Sequence, residues 1–237
     1  MCGRYALAIS PTRLIEAFEL PPDTRVPAGR YNIAPTQAAP VVRFDANGAR
    51  TLGLLRWGLV PAWAKDASIG SRMINARSET VAEKPSFRAA YKKRRCLVPA
   101  SGFYEWRKVP GGKKQPYFIR PAADDCMAMA GLWERWSASD KEEPIETFTI
   151  LTTAANQAME KLHDRMPVLV PREAFDRWLD PTQEATDLLS PRDEPALSIY
   201  AVSTRVNSPT IDEQALIEPI DSGAASASSS QQRSFFE

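Results

Sequence analysis

The sequence predicts a single α+β domain rich in strands. Three observations carry that expectation. The chain has 237 residues, enough for one substantial core. Most of its apolar segments are short, β-branched or aromatic, and bounded by Pro, Gly, Asn or Asp. Helical periodicity appears only in brief stretches between them.

In chain order, Cys2 to Ile9 alternates, with Tyr5, Leu7 and Ile9 on one face, and reads as a half-buried strand. Ser10-Pro11 supplies a helix cap and a first-turn proline, and Leu14, Ile15 and Phe18 follow on one helical face until Pro21-Pro22 ends it. Residues 23–37 read as a loop carrying Tyr31-Asn32-Ile33-Ala34-Pro35-Thr36-Gln37. Val41 to Phe44 and Ala49 to Arg56 flank Asp45-Ala46-Asn47-Gly48 and make a hairpin. Trp57 and Trp63, interrupted by Gly58 and Pro61, suit either an irregular surface wall or the core. Ser78 is placed to cap a short helix after Asn75-Ala76-Arg77.

Phe87 to Arg95 concentrates Arg88, Lys92, Lys93, Arg94 and Arg95, which is either a solvated helical face or a phosphate-contacting patch. Cys96–Val98 and Gly102–Trp106 read as strand segments split by Pro99-Ala100-Ser101. A turn at Pro110-Gly111-Gly112 leads to a strand over 116–119. Strands over 127–133 and 147–153 follow, the second running into a helix near 154–161. His163-Asp164-Arg165 is a polar corner before an apolar strand. Arg172 to Leu179 is a helix presenting Phe175, Trp178 and Leu179, and 197–202 is a last strand. The domain spans 1–220. From about Asp221 the chain is Ser/Ala-rich, too poor in apolar side chains to order itself, and reads as a disordered tail over 221–237.

Composition narrows the function. Hydrophobic content of 43% and charged content of 25% are those of an ordinary soluble protein, and no apolar run reaches the length of a membrane span. With no basic-then-apolar leader and an odd count of three cysteines, a reducing cytosol is expected, with no disulfide framework. A net charge of +1 excludes a uniformly basic nucleic-acid coat and leaves room for a local basic face.

The chemistry-bearing stretch is Met1-Cys2-Gly3-Arg4. An initiator Met is readily removed before a side chain as small as that of cysteine. Cys2 then carries a free α-amine, titrating near ~7.7–8.0, beside a thiol titrating near ~8.5. Such a 1,2-aminothiol condenses with an aldehyde to a Schiff base, and the thiol closes on the same carbon as a thiazolidine. At a frayed terminus, Cys2 would instead be incidental. His163 is the chain's single histidine, the residue type suited to proton transfer near neutral pH, or a structural side chain. Glu105 lies between Tyr104 and Trp106, where its carboxyl is either partly desolvated for acid–base work or turned to solvent. The Asn75 amide is able to orient a hydroxyl or an amine.

Taken together, these stretches carry a resemblance. Cys2-Gly3-Arg4-Tyr5, Asn32-Ile33-Ala34-Pro35, Trp57-Gly58-Leu59-Val60-Pro61 and Asn75-Ala76-Arg77-Ser78-Glu79-Thr80 resemble blocks of the SRAP family, the SOS response-associated peptidases. So do Arg95-Cys96-Leu97-Val98-Pro99, Gly102-Phe103-Tyr104-Glu105-Trp106, Ala130-Gly131-Leu132-Trp133 and His163-Asp164-Arg165-Met166-Pro167. The blocks occur in family order from Cys2 to about Asn207. The resemblance implies a mixed, mostly antiparallel sheet around an open barrel-like core with peripheral helices. It also implies abasic-site processing in single-stranded DNA, by a cytosolic, nucleoid-associated monomer that needs no metal or other cofactor. Cys2 would capture the ring-opened aldehyde as a thiazolidine crosslink. Asn75 would hold the terminus and the sugar, Glu105 would transfer protons, and His163 would help open the ring and reverse the link. Arg4, Arg77 and Arg165 would contact phosphates, and Trp57 and Trp63 would stack on bases beside the lesion. Strand-cleaving lyase activity would follow from the Schiff base.

A DNA-binding module that has lost its chemistry is hard to square with Cys2, Asn75, Glu105 and His163 all being present, and two further alternatives come from other classes. One is a thiol hydrolase, with Cys2 as nucleophile and His163 as base, its peptide hydrolysis confined to removing Met1 or a short leader and so exposing Cys2. The other is a zinc site drawn from Cys2, Cys96, Cys126 and His163, although no pair has the short spacing usual in such sites.

Overall fold

The computed structural model describes residues 2–108, 111–139 and 143–220. Met1, Pro110 of the expected 110–112 turn and the tail over 221–237 lie outside the described residues. Strand β1 (Tyr5–Leu7) is followed by helix α1 (Pro11–Phe18), then by β2 (Arg30–Ile33), β3 (Ala38–Phe44), β4 (Arg50–Trp57) and β5 (Asn75–Arg77). Helix α2 (Arg88–Lys93) leads into β6 (Arg95–Ala100), β7 (Gly102–Arg107), β8 (Gln115–Pro121), β9 (Met127–Trp136) and β10 (Ile145–Ala154). The short β11 (Arg165–Pro167), helix α3 (Phe175–Leu179) and β12 (Leu197–Ala201) complete the described elements, with 3-10 turns between them.

The strands divide into two sheets. One has the order β12-β8-β7-β1-β2. The other runs β10-β4-β3-β6-β9, and β9 pairs back onto β10, so the barrel-like core expected as open is a closed ring. Both β5 and β11 add to the C-terminal half of β10. The β10–β4 and β10–β5 pairings are parallel and the others antiparallel, which makes the sheet mixed and mostly antiparallel. Only Ser101 separates β6, in the barrel, from β7, in the other sheet. Its hydroxyl accepts from the Ala8 amide at 2.7 Å, and its own amide donates to the Ala6 carbonyl at 2.7 Å, which pins this corner against β1.

Barrel closure depends on Gly131. It pairs with Cys96 on one side and Ile150 on the other, and a β-carbon there would lie 2.9 Å from the Cys96 sulfur and from a Val98 methyl. At the end of β4, Gly58 takes φ +124° and passes so close to the Gly70 carbonyl that no side chain fits. The chain thereby turns out of the barrel directly after Trp57.

Several expectations change in three dimensions. β1 is wholly buried, not half-buried, because it lies between two cores. Tyr5 and Leu7 join the main cluster, while Ala6 packs with Tyr104, Phe118, Val202, Val206 and Leu216. The expected loop over 23–37 contains β2, paired with β1. Ser10 does cap α1, accepting from the Arg13 amide at 3.2 Å, but the helix ends at Phe18 through left-handed Glu19, before the two prolines. Ser78 is no cap; it opens a 3-10 turn that has no side-chain capping bond. The helix expected over 154–161 is a run of turns, in which the Asn156 side chain accepts from the Met159 amide at 3.0 Å and competes with a regular helix. In the basic stretch Arg88, Lys92 and Lys93 face solvent. Arg94, by contrast, pairs with Glu134 at 2.6 Å, and Arg95 is buried against backbone carbonyls of Asp180 and Gln183. That stretch is therefore a solvated helical face and not a continuous phosphate patch.

Candidate active site around Cys2

The site forms where β1 emerges between the two sheets. The Tyr104 amide donates to the Arg4 carbonyl at 2.9 Å, extending the β1–β7 pairing toward the terminus. That register carries Glu105 alongside the Cys2-Gly3 segment. From the barrel side, β5 runs parallel to β10 with Asn75 opposite Ile150. The Asn75 amide donates to the Cys2 carbonyl at 2.8 Å, while its Oδ1 is buried and has no hydrogen-bond partner among the described residues.

His163 enters from the turn before β11. Its Nε2 lies 3.9 Å from Glu105 Oε1, an electrostatic contact longer than a hydrogen bond. Its Nδ1 accepts from the Arg165 amide at 3.0 Å and lies 2.8 Å from Asp164 Oδ1. The Glu105 side chain is 7% exposed and that of His163 is 27% exposed, so the carboxylate lies beneath the imidazole. Glu105 Oε1 also accepts from the Trp106 amide at 3.2 Å. Thus four residues singled out in the sequence, from four separate elements, converge on one place.

Cys2 is fully buried. Its thiol is pushed up to about 12, first by burial and then by the negative charge of Glu105. The sequence suggested an ordinary thiol, partly ionised near neutrality; in the fold it is a neutral group.

The arginines and tryptophans separate into two kinds. Arg77 is exposed at the end of β5. Arg4 turns inward, donating to Asn32 Oδ1 at 2.7 Å and to the Val206 carbonyl at 2.8 Å. Arg165 forms a two-pronged pair with Glu79 at 2.5 and 3.0 Å and donates to the Thr152 carbonyl at 2.5 Å. The guanidinium groups of Arg4 and Arg165 are thus engaged by protein acceptors in this structure, whereas that of Arg77 stands in solvent. Trp63 is 59% exposed. Trp57 has no exposed surface: its indole N–H donates to the Ile74 carbonyl at 2.8 Å, and it packs edge-on to Tyr5 and stacked on Phe148. Base stacking by Trp57 would require unpacking the core, so that expectation is corrected. Its position beneath Tyr5 and Ile74 supports Cys2 and Asn75 from below.

Sequence reasoning missed the residues that hold these groups. Asn32 is buried and donates to the Ser208 and Ile211 carbonyls at 2.9 and 2.6 Å. Asp212 accepts from the Tyr31 and Asn32 amides at 2.6 and 3.1 Å, and Trp106 donates to Asn207 at 2.8 Å. The segment after β12 is therefore strapped to Arg4, β2 and β7, the elements flanking Cys2. Asn32 and Glu79 stood inside resembling blocks, whereas Asp212 and Asn207 gave no sequence signal.

The zinc alternative finds no support. Cys96 faces the barrel interior beside Gly131, and Cys126 lines a cavity of about 610 Å³ with Phe18 and Phe175, which excludes Cys2, Glu105 and His163. Among the described residues no group of three or more His, Cys, Asp or Glu is placed to hold a metal. No helix among them is long and apolar enough to cross a membrane.

Comparison with known proteins shows what the chain is similar to. The chain is 42% identical over 226 residues to the abasic site processing protein YoqW of Bacillus subtilis, covering 92% of this chain and 99% of that one. It is 34% identical over 268 residues to the abasic site processing protein HMCES of Gallus gallus, covering 94% and 79%. A crystal structure of a Bacteroides thetaiotaomicron protein superposes with a TM-score of 0.82 at 26% identity, covering 92% of this chain and all of that one. The family profile described as SOS response associated peptidase (SRAP) matches residues 1–209, and the chain belongs to that family.

Proposed function

We propose that this chain processes abasic sites in single-stranded DNA by capturing the ring-opened sugar aldehyde on Cys2, after removal of Met1. The observation that carries this function is the convergence on Cys2: Asn75 on its carbonyl, Glu105 beside it, and His163 over Glu105. Relatives of 34–42% identity are abasic site processing proteins, which supports the same substrate.

The chemistry follows from the order in which groups become nucleophilic. With its thiol neutral and buried, the α-amine reacts first. Its nitrogen adds to the aldehyde carbon, and loss of one water gives the Schiff base. The thiol sulfur then bonds to that carbon, its proton passing to the nitrogen, and the five-membered ring closes. The net change is protein plus DNA minus one water. Ring opening of the closed sugar needs an acid and a base, roles assigned to His163 and Glu105. Arg77 offers an exposed cation for phosphate and Trp63 an exposed ring for a base. The Schiff base also permits β-elimination, so a lyase product would arise when thiol closure is slow.

The thiol-hydrolase alternative is disfavoured by the same thiol. Thiol hydrolases work with a lowered thiol pKa, and here burial and Glu105 act in the opposite direction. An intact mass spectrum of the protein mixed with single-stranded DNA carrying one abasic site tests both. An adduct at the mass of des-Met protein plus DNA minus water is expected, and it should vanish when the α-amine is blocked with the thiol intact. Des-Met protein that forms no adduct would overturn the proposal.

A further inference from the structure

We propose that Glu79 is a positioning residue, which through Arg165 clamps β5 and β11 across β10 and so fixes Asn75 and His163 relative to Cys2. This rests on the aldehyde-capture function proposed above. β5 and β11 are three residues each, and their ladder pairing is with β10. Strands this short hold their register weakly by backbone bonds alone. Yet they deliver two of the groups that meet at Cys2.

The clamp lies over the one residue common to both ladders. Thr152 pairs with Arg77 of β5 and with Pro167 of β11. Across it, the Arg165 guanidinium donates to the Thr152 carbonyl at 2.5 Å and reaches both carboxylate oxygens of Glu79, in the turn just after β5, at 2.5 and 3.0 Å. The Arg165 side chain is only 13% exposed and that of Glu79 49%, and the fork-to-fork geometry, more than burial, distinguishes this pair from a loose surface ion pair. The Arg165 bond also holds the Glu79 carboxyl below its usual range, so it stays charged. Asn75 stands four residues before Glu79 and His163 two before Arg165, so loosening the pair frees both ends. A displacement on the scale of an ångström is enough to slow an oriented reaction severely.

The competing role for the same residues is electrostatic masking, in which Glu79 shields a phosphate-binding Arg165 until DNA arrives. The two differ in sign. In the full chain, Glu79→Ala should lower the single-turnover capture rate at saturating abasic DNA by about ten- to a hundredfold. Glu79→Gln, which keeps the shape and one acceptor, should fall between. The salt slope of affinity for undamaged single-stranded DNA should stay unchanged. Masking predicts tighter binding, a slope steeper by about one unit and an undiminished rate, and would overturn the clamp. If the wild-type chain itself forms no adduct, aldehyde capture is what fails. Amide hydrogen exchange over 75–77 and 165–167 then decides the clamp: faster exchange at both segments in Glu79→Ala sustains it, and unchanged exchange removes it.

Discussion

Asn75 and Cys2 are 73 residues apart in sequence, and the side-chain amide of the first holds the main-chain carbonyl of the second at 2.8 Å. A terminal nucleophile is of little use on a loose tail, and this bond fixes it to the barrel through β5. Asn75→Ala should cost about 1 kcal/mol of stability, the net worth of one hydrogen bond. The capture rate should fall further than that loss alone implies, by about tenfold or more, because orientation is lost as well. Single-turnover kinetics on abasic DNA set against denaturant unfolding would show the split. Equal, small effects on both would mean that the bond is merely structural.

Glu105 raises the Cys2 thiol by its negative charge, second only to burial. Glu105→Gln should therefore make the thiol more acidic and quicker to react with a small neutral alkylating agent at pH 9, while aldehyde capture slows for want of a proton acceptor. Opposite movement of the two rates is the signature to look for. If alkylation does not change, the carboxylate's field does not reach the sulfur.

The buried thiol also couples folding to pH. Its value of about 12 in the folded chain lies above the ~8.5 of an unfolded cysteine. The stability this contributes is fully present below pH ~8.5 and is lost as pH rises toward 12, since in that window the unfolded chain releases a proton the folded chain keeps. The decline is about 1.4 kcal/mol per pH unit for one thiol. Denaturant unfolding at pH 9 and 11 should show a decline that is shallower by about that amount per unit in Cys2→Ser.

Trp57 and Trp63 should behave as opposites. Trp57→Ala empties a fully buried site and should cost about 3–5 kcal/mol in stability. Trp63→Ala should leave stability within ~0.5 kcal/mol and weaken single-stranded DNA binding by about 1–3 kcal/mol. Thermal denaturation and equilibrium binding separate them, and a Trp63 variant with full affinity would remove it from the DNA surface.

Arg4 donates to Asn32 and to the Val206 carbonyl, which places it among the groups that hold the C-terminal strap. Arg4→Met should lower stability by about 1–3 kcal/mol, because buried acceptors lose a charged donor, and should leave the salt slope of DNA binding unchanged. Arg77→Met should do the reverse, reducing that slope by about one unit at nearly constant stability. Exchange of these two outcomes would return Arg4 to the phosphate surface.

Local rules carried much of the fold because the relevant forces are local. The Ser10 cap, the 45–48 hairpin and the α3 face each rest on a few neighbouring residues, and each formed as expected. The sequence by itself also determined the chemical repertoire: an aminothiol at Cys2, a carboxyl among aromatic rings at Glu105, a lone histidine and the Asn75 amide. Only the tertiary structure decided which of these meet, because their contacts cross 73 residues for Asn75 and Cys2, and join β7 of one sheet to the turn before β11 of the other for Glu105 and His163. It also decided what each charge and ring is for. Arg4, Arg77 and Arg165 are alike as letters, yet a nearby acceptor turns the first and third inward and leaves the second in solvent. Trp57 and Trp63 differ for the same kind of reason. One closes a barrel strand beneath Tyr5 and the other lies beyond the Gly58 turn, and burial is a property of the packed whole, not of the residue.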